Sequence, residues 1–446
     1  MHQQLKPRSI QSNIIKMKRF SIIILIIGSV AVISASAYWY FVLRNKTTTT
    51  NPTTASQSGF SPIGKTPVAR TDVPSNSSSS TPTQNQPAQI PTNTSVPTLR
   101  LLSSVPVGGY GASTTATSTI VRWIERGRGN ILQANESSTE TTVLSNTLLP
   151  RMFTSIWNKD LNALIGTLYQ ENATEPTSVY AEIRKRTATS TISASTTDPN
   201  TLTDFELKGK NLPDHVTAIA LSPKKDKVFM LVSQNSGSIG YISTFDGKSL
   251  TKIFETPLSQ LNIEWPEDNT IAITTKGSAD QAGYLYFVNP ASGVWKKIIG
   301  PVPGLSTRVS HNAKYVLLSA PDNSNKILTS IYNIASSSGT DAVIRSLADT
   351  CAWGNFYKEI VYCAVPSNQP SGTFPDDWYT GKVAFIDKIW QLNAATGEIH
   401  LVASLTELSK KVIDAFNLTL DPKDNYLFFI NKNDLSLWSL DLVASH

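Results

Sequence analysis

Reactive side chains are scarce in this chain. Its 446 residues include two cysteines and five histidines. The cysteines, Cys351 and Cys363, have no His or further Cys near them in sequence, so a structural zinc site is not indicated. The histidines (His2, His215, His311, His400, His446) stand singly, with no HExxH and no pair at ligand spacing. No GxSxG presents a nucleophile. The expected metal, cofactor and catalytic assignments are therefore none. Charge is also sparse, at 16% of residues, and it is unevenly placed. Lys6, Arg8, Lys16, Lys18, Arg19, Arg44, Lys46, Lys65 and Arg70 precede residue 98, against the single acid Asp72. The whole chain carries +6, so the part beyond residue 98 is slightly acidic. That excludes nucleic acid as an expected partner, because binding it needs basic charge on the folded part.

What is present divides the chain into four parts. Residues 1–19 are basic and hold no acid. Residues 20–43, FSIIILIIGSVAVISASAYWYFVL, are uncharged and long enough to cross a bilayer as a helix. Tyr38, Trp39 and Tyr40 fall near its far end, where an aromatic belt belongs. The preceding basic residues set the N-terminus in the cytoplasm, which places the C-terminal bulk outside it. Ala35-Ser36-Ala37 has the small-x-small form of a signal cleavage site, but the apolar run continues to Leu43. The expectation is an uncleaved signal-anchor contacting the lipid bilayer, with a cleaved secretory signal as the alternative. Residues 44–97 are rich in Thr, Ser, Pro, Asn and Gln. Such a segment buries too little apolar surface to offset the entropy of ordering, so a disordered linker is expected.

Residues 98–446 repeat one unit, a strand, a tight polar turn and a second strand. Six copies align: FTSIWNKDLNALIGTL, VTAIALSPKKDKVFMLV, LNIEWPEDNTIAITT, STRVSHNAKYVLLSA, DTCAWGNFYKEIVYCAV and AFNLTLDPKDNYLFFI. Their turn anchors read as Trp157, Ser222, Trp265, Ser310, Trp353 and Asp421, the middle four roughly 43 to 45 residues apart, a period of four-stranded blades. Third and fourth strands follow across turns such as Asn-Pro-Ala-Ser-Gly and Asp-Gly. The second strands are apolar at nearly every position, which requires cover on both faces. Blades stacked around an axis provide that, whereas a β-sandwich, the alternative, would show alternation. After LSLWSLDL the last repeat lacks a fourth strand, and TLRLLSS at 98–104 reads as the missing one. The expected fold is all-β: a seven-bladed β-propeller whose N-terminal strand closes the last blade, leaving no free edge.

Cys351 and Cys363 lie on paired strands at similar distances from the turn near Tyr357. An exported domain permits a disulfide between them, and two buried thiols remain the alternative. The longest loop, PSNQPSGTFPDDWYTG at 366–381, gathers Asp376, Asp377, Trp378 and Tyr379. These four are a candidate recognition patch, or else Trp378 and Tyr379 fold back as a cap over the blade. Trp157, Trp265 and Trp353 recur at one place in the repeat, which fits packing between blades better than sugar binding. Acids at the starts of first strands are few, chiefly Asp349 and Asp414, and read as solvated loop acids.

The hairpins SPKKDKVFMLV, WPEDNTIAITT and DPKDNYLFFI resemble those of the WD-repeat-like and TolB-like propeller superfamily. The Trp-Asp and Gly-His pairs of true WD repeats are absent. The layout is similar to membrane-anchored bacterial propeller proteins, and that resemblance implies a binding scaffold. The expected function is a membrane-anchored, extracytoplasmic interaction or scaffolding module, its partner an envelope protein or glycan. The alternatives are an exported hydrolase or lyase acting on glycans and a sensor of small ligands.

Overall fold

The computed structural model describes residues 96–116, 118–136, 138–145, 149–169, 175–186 and 205–444. The expected basic N-terminus, the membrane span at 20–43 and all but the end of the linker lie outside the described residues. Among the described residues no helix is long and apolar enough to cross a membrane.

Seven antiparallel sheets of four strands follow one another, which is a propeller and not a two-layered sandwich. Blade 1 runs from Val107 to Ser145, blade 2 from Met152 to Asn211, blade 3 from Val216 to Thr256 and blade 4 from Leu261 to Pro303. Blade 5 runs from Ser306 to Asp341 and blade 6 from Cys351 to Ser404. Blade 7 takes three strands from Ala415–Asp441 and its fourth from Leu99–Ser103. In that last pairing Leu99 faces Leu440, Arg100 faces Ser439 and Leu101 faces Trp438. The first and last strands of the propeller therefore pair within one sheet.

The apolar second strands do what their composition requires. Val228–Leu231, Ile271–Thr274 and Leu427–Asn431 are buried at every position. Apolar side chains collect in one cluster at each of the seven interfaces between blades. Trp157, Trp265 and Trp353 belong to three of them, between blades 1 and 2, 3 and 4, and 5 and 6.

The turn anchors resolve into two columns, which corrects the single set read from the sequence. Trp157, Leu221, Val309, Trp353 and Leu420 end the inner strands, Trp265 stands two residues before the end of its own, and from Leu221 to Trp353 these positions recur about every 44 residues. Ser222, Ser310 and Asp421 stand one residue further on, beside Asn158. Their side-chain oxygens accept the amide five residues ahead, at 3.0 Å from Ala163, Lys227 and Tyr315 and 2.8 Å from Tyr426. The residue three beyond each of them is left-handed: Leu161, Lys225, Ala313 and Asp424 have φ between 49° and 59°. A short acceptor followed by a residue with positive φ closes a tight hairpin. Pro266 and Gly354 occupy the acceptor place in blades 4 and 6.

The third-to-fourth strand turns use a second device. Asn289 accepts the amides of Ala291 and Ser292, Asn333 those of Ala335 and Ser336, and Asn393 those of Ala395 and Thr396. Because strands alternate in direction, these turns and the inner-to-second turns lie at one end of the blades, the lower face. The remaining loops lie at the upper face. Cys351 and Cys363 face each other in the ladder of blade 6 and are joined by a disulfide with Cα atoms 4.1 Å apart.

Candidate functional site

The inner strands surround an axial channel with two chambers. The upper chamber has a volume of about 640 Å³, with Thr154, Thr167, Thr217, Gln260 and Asn262 among its lining. The lower one, about 470 Å³, is walled partly by Trp265, Trp353, Pro223 and Pro266. Ile156, Ile263, Glu264 and Arg308 line both, so they form the waist.

An ion pair between neighbouring blades forms part of the wall of that waist. Arg308 Nη1 lies 3.2 Å from Glu264 Oε1, and the Val309 amide donates to Glu264 Oε2 at 2.8 Å. Burial pushes the Glu264 carboxyl above its ordinary range, against the pull of Arg308. For Arg308 burial opposes the charged form, but Glu264 and Asp349 outweigh it, so its pKa lies above the ordinary value. Asp349, at the entry to the inner strand of blade 6, accepts from Ser306 Oγ at 2.6 Å and Tyr379 OH at 2.7 Å. Burial, then the neighbouring Asp349 charge, drives the Tyr379 phenol well up, so it stays a proton donor at any physiological pH.

Tyr379 belongs to the long loop, and the loop is a cap. Asp376 Oδ2 accepts the Ala279 amide of blade 4 at 2.7 Å. Gln369 binds the Ile327 amide and the Asn325 carbonyl of blade 5, at 2.9 and 2.7 Å. Lys432 Nζ of blade 7 donates to the Trp378 carbonyl at 2.6 Å and sits 4.8 Å from the Trp378 ring centroid. Asp377 accepts the Thr373 amide and pairs with Lys382, both at 2.9 Å. Trp378 is 4% exposed, packed with Ile327, Leu347, Phe374 and Phe385 in a cluster distinct from the seven between blades. The structure thus brings Asp376, Trp378 and Tyr379 against the ring, where their polar atoms staple blades 4, 6 and 7. Of the four candidate recognition residues, Trp378 is buried and Asp376, Asp377 and Tyr379 are half-buried. The physical reason is that Trp378 and its apolar neighbours gain more by burial than by exposure.

Nor are Asp349 and Asp414 solvated loop acids. Asp414 is fully buried and accepts Trp378 Nε1 at 3.1 and 3.2 Å and the Phe385 amide at 3.0 Å. Beside it, Asp387 is 1% exposed; Oδ2 accepts the Ala415 amide at 2.7 Å, while Oδ1 meets no donor. Burial, then the neighbouring Asp414 charge, pushes Asp387 well above the carboxylate range. Burial raises Asp414 too, opposed by its donors. A folded pKa above the unfolded one gives full stability below the unfolded value of about 4 and loses it as pH rises toward the folded value. These two carboxyls should therefore lower stability progressively from pH 4 upward, as the unfolded chain ionises them and the folded one resists. Asp387→Asn removes that penalty and can still accept the Ala415 amide. The variant should be more stable than the parent near pH 7, and its stability should fall less steeply as pH rises. Thermal melts of both proteins from pH 4 to 8 check this; an unchanged pH slope would exclude Asp387 as its source.

Among the described residues no group of three or more His, Cys, Asp or Glu is placed to hold a metal ion. Sequence reading missed the waist, although the signal was there. Ala220, Glu264, Arg308 and Ala352 occupy one place in consecutive repeats, so opposite charges on neighbouring blades follow from alignment alone.

No family model and no curated protein matches this chain. Solved structures similar to it include TolB from Acinetobacter baumannii, at 10% identity and TM-score 0.38, covering 74% of this chain and 62% of that one. An oligogalacturonate lyase from Vibrio parahaemolyticus is similar at 10% identity and TM-score 0.44, covering 76% of this chain and 97% of that one. A xyloglucanase from Xanthomonas campestris is similar at 13% identity and TM-score 0.48, covering 77% of this chain and 53% of that one.

Proposed function

We propose that this chain is an interaction module of the cell envelope. Its propeller is held outside the cytoplasm by a membrane span at 20–43 and a linker at 44–97, and it binds a partner without turning it over. One observation carries the choice of binding over catalysis. The carboxylates that line the channel are engaged by neighbouring donors: Glu264 by Arg308 and Val309, Asp349 by Ser306 and Tyr379. Glycoside cleavage by two carboxylates needs a pair across the scissile bond. Glu264 and Asp349 instead flank Arg308 from blades 4 and 6. The Cys351–Cys363 disulfide supports an oxidising compartment, as does the basic segment before the apolar run.

The test is a full-length fusion carrying, after His446, a phosphatase that becomes active only on export. Membrane-bound phosphatase activity is expected; activity confined to the cytoplasmic fraction, or none, overturns the reading. The second reading, an exported glycan hydrolase or lyase, is favoured by Glu264 alone, a channel acid with a raised pKa. Glycan turnover that disappears in Glu264→Gln would replace the first reading with this one.

A further inference from the structure

The lower mouth of the channel concentrates positive charge. Inner-to-second strand turns contribute the charges of Lys225 from blade 3 and Lys358 from blade 6, with the neutral His311 of blade 5 beside them, all lining the lower chamber. Arg308 stands at its inner end. The single acid of that lining is Glu264, which Arg308 already pairs. Among the described residues neither Lys225 nor Lys358 makes an ion pair, whereas Lys224, on the same turn as Lys225, lies 4.0 Å from Asp268. The nearby Asp424 carboxylate is engaged elsewhere: it accepts the amides of Asn355, Phe356 and Tyr357 at 2.7, 3.0 and 2.8 Å. The groups crowd one another. Burial, then Lys225 and Lys358, hold the His311 imidazole down at about 4, so near pH 7 it is neutral and stands beside the two lysines as a hydrogen-bonding group rather than a third cation. Cations gathered without a counter-charge repel, and an anion between them relieves that repulsion.

The turns that carry these groups are rigid. Lys225 sits at φ 54°, a conformation that suits Gly or Asn better than Lys, with its amide bonded to the Ser222 carbonyl at 2.8 Å. Lys358 follows the turn that Asp424 fixes by three hydrogen bonds. That turn also presents Phe356 and Tyr357, 65% and 57% exposed, with rings edge to face at 4.9 Å. Two large aromatic rings held in water beside an unpaired lysine match a ligand with an anionic group and a flat or apolar portion.

We propose that the lower mouth is a binding site for a small polyanion, a phosphate- or carboxylate-bearing molecule held between Lys225, His311 and Lys358, with its uncharged part against Phe356 and Tyr357. The cationic groups line a concave chamber and not a flat face, which favours a small ligand over an anionic lipid surface. The site is independent of whether an envelope protein docks on the ring.

The experiment titrates the full chain in neutral detergent with inorganic pyrophosphate and with citrate, read by calorimetry. Sodium chloride at equal ionic strength serves as control. Saturable binding of either anion is expected, and the stronger one identifies phosphate or carboxylate as the preferred group. Lys225→Gly relieves the left-handed strain while removing the charge, so it should fold at least as well as the parent. It should weaken binding about tenfold, as should Lys358→Gln. Lys224→Gln should leave affinity unchanged. Heat no greater than with sodium chloride, an equal loss in Lys224→Gln, or binding only to vesicles of anionic lipid would each overturn the proposal.

Discussion

Deleting residues 98–104 should open the ring between blades 7 and 1 and destabilise the whole propeller. The lost strand pairs with Leu437–Asp441 over four registered residue pairs. It places Leu102 in the apolar cluster between blades 7 and 1 and Leu99 against the one between blades 6 and 7. Burying two leucines and keeping several ladder hydrogen bonds contributes about 5 kcal/mol, after allowing about 1 kcal/mol net per bond. The strand also reaches beyond its own sheet, since Arg100 Nη1 donates to the Asn135 carbonyl of blade 1 at 2.8 Å. Without the strand, Leu437, Trp438 and Leu440, buried now, would form the edge of an open sheet, a template for pairing with another chain. The expected result in chemical denaturation is a midpoint lowered in proportion to that loss, with concentration-dependent self-association. A synthetic peptide of residues 97–105, added in trans, should restore part of the stability by strand addition. If the deleted protein unfolds at the parent's midpoint, closure rests instead on the direct contacts between blades 1 and 7. Those include the Val107 amide to the Leu435 carbonyl at 3.0 Å, Tyr110 OH to the Phe428 carbonyl at 3.0 Å and Thr114 Oγ1 to Asp421 Oδ2 at 2.9 Å.

The clasp and the blade count were legible because both follow from local and periodic signals. A hairpin is written by an oxygen acceptor such as Ser222 and a left-handed residue three places later, and that chemistry needs no distant partner. A repeat recurring about every 44 residues then counts the blades, and a final blade one strand short points to a complement elsewhere in the chain. The chambers were less legible, for two different reasons. Glu264 and Arg308 obey the repeat, but reading the Trp and Ser anchors as one column hides their equivalence by a single residue. Lys225, His311 and Lys358 do not obey it. They occupy unlike places in their turns and meet only because the blades converge on an axis. The cap is the extreme case. Trp378 reaches Asp414 and Lys432 reaches the Trp378 carbonyl across 36 and 54 residues, through an irregular segment with no period to betray its path.

Replacing Trp378 with alanine should release the cap while leaving the seven blades folded. The side chain fills the centre of its own cluster, its ring stacked on Phe385 at 6.0 Å between centroids. Such a truncation costs about 3–5 kcal/mol. Here it also removes the indole donor from Asp414, a fully buried carboxylate that then relies on the Phe385 amide, and takes away the ring beneath Lys432. Because the cluster under the cap is separate from those between blades, the loss should appear as local opening. Hydrogen exchange should show protection falling sharply over residues 366–386 and around Ala279 and Ile327, whose amides bond to the loop, and little changed in the inner strands. Release of the cap also withdraws Tyr379 from Asp349, on the wall of the upper chamber, without touching the Glu264–Arg308 pair below it. Two structural roles are thereby separated. If protection falls equally in all seven blades, the cap is part of the ring's cooperative core; if it falls in the loop and its attachment points alone, the cap opens as a unit of its own.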